Sequence, residues 1–159
     1  MGYLDKINVS GTNYDLGAKL EHITDADGHN RFIEGDITAT SITNATFPFK
    51  GWALSGTHLI IVYCVASSTS SVTIPSGNLA EVELPEWVIN KIYPIRPSAP
   101  NTLVAYSQMV SSDAGESVQT HNLKLLKDNG HIYIYNGSEL SWTNYRCGRV
   151  QFDLLISND

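Results

Sequence analysis

The chain has 159 residues, 42% of them hydrophobic and 16% charged, with a formal net charge of -6. That length gives one domain burying roughly two-thirds of its unfolded surface, and the abundance of Ser, Thr, Asn and Gly marks a β-rich globular chain with neutral polar loops, not a disordered one. Nucleic acid is excluded as a partner, because phosphate binding needs clustered Lys and Arg and the ten basic residues here are scattered.

The opening MGYLDKINVS has no charged-then-apolar leader, and no apolar run approaches a membrane span. Lys6 stands where a myristoylation signal wants Ser or Thr. The expectation is a protein made in a cytoplasm, without membrane insertion, that leaves by lysis or inside an assembly. KINV and NYDL then flank SGT as a short hairpin. TDADGHNRFIEGD follows, with aspartates at alternate positions as in a calcium loop. Counted from Asp25, however, an EF-hand would place His29 at its fifth position and Asn30 where Gly is needed. The simpler reading is a type I′ turn at Asp27-Gly28 that sets Ile23 opposite Phe32.

DITATSITNAT reads as a Ser/Thr/Ala-rich connection. Beyond it the apolar density rises through FPFKGWAL to HLIIVYCVA, a run apolar on both faces and so expected to be buried on both, inside a sandwich or at a subunit contact. Cys64 in this run is most simply a small buried hydrophobe, and two cysteines cannot make a disulfide scaffold. LAEVEL alternates cleanly, with Ala80, Val82 and Leu84 opposite Glu81 and Glu83. PEWVINKIYP is the one helix signal, with Pro85 in its first turn, Glu86 complementing the dipole and Pro94 as the stop. TLVAYSQMV is a strand, and in LKLLKDNGHIYIYNG the Asn129-Gly130 pair predicts a two-residue type I′ hairpin. RVQFDLLIS closes the chain as a final strand. About ten short strands with one helical turn indicate an all-β fold, an antiparallel β-sandwich or jelly roll preceded by a small N-terminal hairpin segment.

No reaction is spelled out, and the expectation is that the protein is not an enzyme. The five histidines show no metal-binding spacing, no serine sits in a G-x-S-x-G elbow, and no Gly-rich phosphate loop precedes a helix, so no cofactor and no metal are expected. Glu81, Glu83 and Glu86 invite comparison with a glycosidase pair, but the first two occupy the solvent face of an amphipathic strand. Binding has a better candidate in YNGSELSWTNYR, residues 135–146. It gathers Asn136, Ser138, Glu139, Trp142, Asn144, Tyr145 and Arg146 between two strands. Aromatic rings beside amides and hydroxyls suit a glycan, whose C–H face stacks on a ring while polar groups take the hydroxyls. The plainer alternative is a connecting loop whose Trp142 packs on the sandwich.

Three pieces of the chain resemble the small structural proteins of tailed bacteriophages that form head or tail fibres and related appendages. They are KINVSGTNYDL, then HITDADGHNRFIEGD, then WALSGTHLIIVYCVASS with LAEVELPEWVINKIYPI and the terminal RVQFDLLIS. The resemblance implies a virion protein that is a homotrimer. Residues 1–45 would seat it on other virion proteins (capsid, tail or baseplate), and residues 46–159 would form a C-terminal sandwich knob projecting towards a host-surface glycan. No collagen-like run or heptad coiled coil joins the halves, so the appendage would be short. A free-standing carbohydrate-binding module or lectin is the alternative.

Overall fold

The Asn129-Gly130 turn forms as its sequence requires, with both residues in the left-handed region, at φ 48° and 81°. It joins two strands that pair from Asp128↔His131 to Leu123↔Asn136. The computed structural model describes residues 6–9, 12–15, 27–69, 71–92, 102–113, 118–143 and 145–157.

In chain order the strands are β1 (Lys6–Val9), β2 (Thr12–Asp15), β3 (Phe32–Gly35), β4 (Ile37–Ala39), β5 (Ala45–Ser55), β6 (His58–Ser67), β7 (Ser71–Ile74) and β8 (Gly77–Val82). Helix α1 (Glu86–Asn90) follows, and then β9 (Thr102–Asp113), β10 (Val118–Asp128), β11 (His131–Asn136), β12 (Leu140–Thr143) and β13 (Tyr145–Leu155). β1 and β2 form the N-terminal hairpin expected of KINV and NYDL. The partner proposed for Phe32, Ile23, lies outside the described residues. Gly28 does take a turn conformation, at φ 84°, and Phe32 pairs with Ser55 of β5.

Nine strands form one antiparallel sheet in the order β3-β5-β6-β13-β9-β10-β11-β8-β4. Its two end strands, β3 and β4, are separated in sequence by Asp36 alone. One bent stretch of chain, residues 32–39, therefore pairs with β5 through its first half and with β8 through its second. The sheet must roll until its ends meet on that seam. The outcome is an all-β antiparallel sandwich around a single core, as the strand pattern predicts. Side-chain and backbone bonds hold the seam: Lys50 Nζ donates to the Ile37 carbonyl at 2.6 Å, and Glu83 N donates to the Asp36 carbonyl at 3.3 Å. The connection expected across DITATSITNAT is thus partly strand. Residues 32–39, on the N-terminal side of the division near residue 45, belong to the main sheet.

The core follows the period-2 rule. On β6, Leu59, Ile61, Tyr63 and Val65 are fully buried, and they face the same interior as Trp52 and Leu54 of β5 and Val150 and Phe152 of β13. Each aliphatic side chain buried in this way contributes about 1.5–3 kcal/mol. The outer face of the same strand is different. Ile60 and Val62 are only half-buried whereas Cys64, next on the same face, is buried, so within one chain the expected burial on both faces is complete on the inner face and partial on the outer.

Helix α1 is a single turn and a half. The Val88 and Ile89 amides donate to the Pro85 carbonyl, and those two side chains enter the core. Lys127 Nζ donates at 2.7 Å to the Ile89 carbonyl, which also accepts from the Ile92 amide at 3.3 Å, so the end of the short helix is tied to β10. Trp87 is half-buried and stacks on His29 with ring centroids 4.7 Å apart.

Gly35 faces Trp52 across the β3–β5 pair, and a Cβ at Gly35 would sit 2.6 Å from the Trp52 ring. The bare glycine is what lets the indole lie flat across the strand. Gly35→Ala is therefore expected to destabilise by about 1–3 kcal/mol through overpacking, read as a fall in thermal midpoint. An unchanged midpoint would mean that the indole has room to move.

Candidate functional site

The segment predicted to recognise a glycan is mostly not a loop. Asn136 ends β11 on the same face as Ile132 and Ile134 and is fully buried. Its Nδ2 donates to the Pro75 carbonyl at 2.8 Å, and its Oδ1 lies 2.7 Å from His121 Nε2. Because Oδ1 can only accept, His121 must carry a proton on Nε2. Asn136 therefore ties β10 and β11 to the segment after β7 and has no polar atom turned to solvent. Ser138 and Glu139 lie in the exposed turn that follows. Trp142 is in β12, in register with Val72 of β7. Tyr145 and Arg146 begin β13, with Tyr145 in register with Asp113, and Asn144 lies outside the described residues.

β12 and β7 form a separate two-stranded ribbon. Beside it lies a cleft of about 460 Å³ lined by Ser41, Thr43, Asn44, Ser71, Thr73 and Ser141, with Thr73 Oγ1 and Ser141 Oγ hydrogen-bonded at 2.9 Å. Among the described residues no carboxylate or cation lines it. Ile42, Val72 and Pro75 complete the lining, so short neutral hydroxyls and an amide sit beside apolar groups, a surface able to exchange hydrogen bonds with a polyol. Sequence reasoning missed this cleft, because residues 41–44 and 71–73 meet only after the sheet has rolled.

The larger concavity lies on the outer face of β3, β5, β6 and β13. Its volume is about 840 Å³, and Gly51, Ala53, Ile60 and Val62 line it together with the charged Glu34, Asp36, Lys50 and Arg149. The register places Ala53 beside Ile60 and Gly51 beside Val62, so two very small residues sit next to two branched ones and the surface dips. Phe49, in the same lining, stands 69% exposed, and on the neighbouring rows Phe32 is 53% and Leu155 75% exposed. A polar edge runs along β13. There Arg149 Nη2 donates to Gln151 Oε1 at 3.0 Å, Gln151 Nε2 donates to Asp153 Oδ2 at 3.1 Å, and His58 Nε2 lies 3.2 Å from Asp153 Oδ1. Small and branched apolar side chains bordered by charged and hydrogen-bonded groups are compatible with a protein–protein contact.

Glu81, Glu83 and Glu86 line one cleft of about 690 Å³ together with His131. Glu81 is bound by His131 at 2.6 Å, and Glu83 accepts a hydrogen bond from the Thr38 hydroxyl. Among the described residues no group of three or more His, Cys, Asp or Glu side chains could hold a metal ion, and no helix is long and apolar enough to cross a membrane.

No protein-family model matches the chain, and no curated protein matches it in sequence. Among solved structures, the reovirus attachment protein sigma1 in complex with alpha-2,3-sialyllactose is similar at a TM-score of 0.30 and 10% identity, over 98% of this chain and 88% of that one. A likeness of that depth fixes neither fold family nor function.

Proposed function

We propose that the chain is a non-enzymatic structural protein of a tailed-bacteriophage virion, a short homotrimeric head or tail fibre whose sandwich knob is exposed for adhesion to a host surface. The observation that carries this reading is the outer face of β3, β5, β6 and β13. A protruding Phe49 and an apolar depression share one surface. The Phe49 of one copy can pack against the depression of a neighbouring copy, an apolar subunit contact whose symmetry the solution mass decides. The motifs KINVSGTNYDL and HITDADGHNRFIEGD support the phage assignment by resemblance. In this reading residues 1–45 seat the appendage on the virion, and residues 32–39 double as the seam of the sheet. A truncation that tests attachment must therefore begin no later than Asp27, since losing β3 and β4 opens the sandwich.

A second reading, a free-standing glycan-binding module, is favoured by the hydroxyl-lined cleft between residues 41–44 and the β7–β12 ribbon. Solution mass separates the two. Light scattering on the purified full chain is expected to give about three times the 17.5 kDa of one chain. A monomer that binds a soluble sugar would replace the fibre reading with the lectin one.

A further inference from the structure

Cys64 on β6 and Cys147 on β13 are 83 residues apart in sequence, yet their sulfurs lie 3.0 Å apart. The register explains the meeting. Cys64 stands opposite Arg149 and Cys147 opposite Ala66, so the two cysteines are diagonal neighbours on adjacent antiparallel strands. Diagonal neighbours ordinarily stand about 7–8 Å apart, so the 3.0 Å sulfur separation marks a closer approach than the ladder alone gives, and an irregularity in the β13–β9 register falls between Tyr145 and Cys147, at the point where the second cysteine enters the sheet. Both thiols are free, and the chain has no other cysteine to compete for either.

We propose that Cys64 and Cys147 are a thiol–disulfide pair that closes a reversible covalent staple between β6 and β13 when the folded protein meets a small-molecule disulfide such as glutathione disulfide. Access decides the order of events. Cys147 is half-buried whereas Cys64 is buried, so the external disulfide is attacked first by Cys147. That step forms a mixed disulfide and releases one glutathione thiol. Cys64 then attacks the Cys147 sulfur and expels the second glutathione. The two cysteine sulfurs lose two electrons and two protons, and the two glutathione thiols gain them. Burial pushes the Cys64 thiol up to about 12, the Cys147 contact adds to the rise and Arg149 opposes it. The thiolate is the attacking form, so the second step accelerates with rising pH. Closing the bond requires the sulfurs to approach by about 1 Å, from 3.0 Å to disulfide length.

The staple would join two strands in the middle of the nine-stranded sheet, so a chain folded under reducing conditions would be locked once it reached an oxidising exterior. This inference does not depend on the adhesion reading. To test it, the full chain is purified with reductant, exchanged into glutathione disulfide and analysed by non-reducing peptide mapping. The expected result is an intramolecular Cys64–Cys147 link, with a thermal midpoint raised by about 5–15 °C that falls back when reductant is restored. Cys147→Ser is expected to match the reduced wild type with or without oxidant. Two thiols that remain open to alkylation, glutathione adducts that persist without resolving, or links only between chains would overturn the proposal.

Discussion

Asn136→Ala is expected to lower the unfolding free energy by about 3 kcal/mol, because it strips a buried site of its hydrogen-bonding partner on both sides. The Pro75 carbonyl loses its 2.8 Å donor and His121 Nε2 loses its 2.7 Å acceptor, both beside the fully buried Asn136 site. For a domain of this size the thermal midpoint falls by roughly 6–12 °C. Ser138→Ala, two residues further on and exposed, is expected to change stability by less than about 0.5 kcal/mol. The contrast separates two roles for Asn136. A glycan ligand would show the opposite pattern, with an unchanged midpoint in Asn136→Ala and a loss confined to sugar affinity.

Phe49→Asp is expected to dissociate the assembly without unfolding the chain. The ring is 69% exposed in a single chain, so its removal costs the isolated fold little. In the assembly the same position would sit in the apolar depression of the neighbouring copy. A carboxylate placed there without a partner weakens association on the order of 100- to 1,000-fold. Lys124→Ala on β10, a strand outside the concavity, should leave association unchanged.

Much of the fold was legible because local rules and long-range pairing agreed. Asn129-Gly130 needs positive φ at both residues, which few other dipeptides tolerate. LAEVEL alternates so cleanly that Ala80, Val82 and Leu84 could only face the core, and they do. β4 was missed because a strand of three residues, Ile37–Ala39, is too short to show a period. What makes it a strand is the rolled sheet that brings β8 alongside. Asn136 shows a signal that outweighs composition. In HIYIYN it falls in step with Ile132 and Ile134, and that alternation marks it as inward despite its amide. The nearness of Cys64 and Cys147 could not be read at all, since it depends on the register of strands 83 residues apart.

The outer face of β5 and β6 ties these points together, since the two-sided apolar character of LIIVYCVA has a physical reason only if something covers Ile60 and Val62. The most direct measurement is sedimentation equilibrium of wild type and Phe49→Asp side by side, with circular dichroism to confirm that both are folded. The expected result is a wild-type mass near three chains and a folded Phe49→Asp near the 17.5 kDa of one. Equal masses for the two folded proteins would contradict the assignment of this face as the subunit contact.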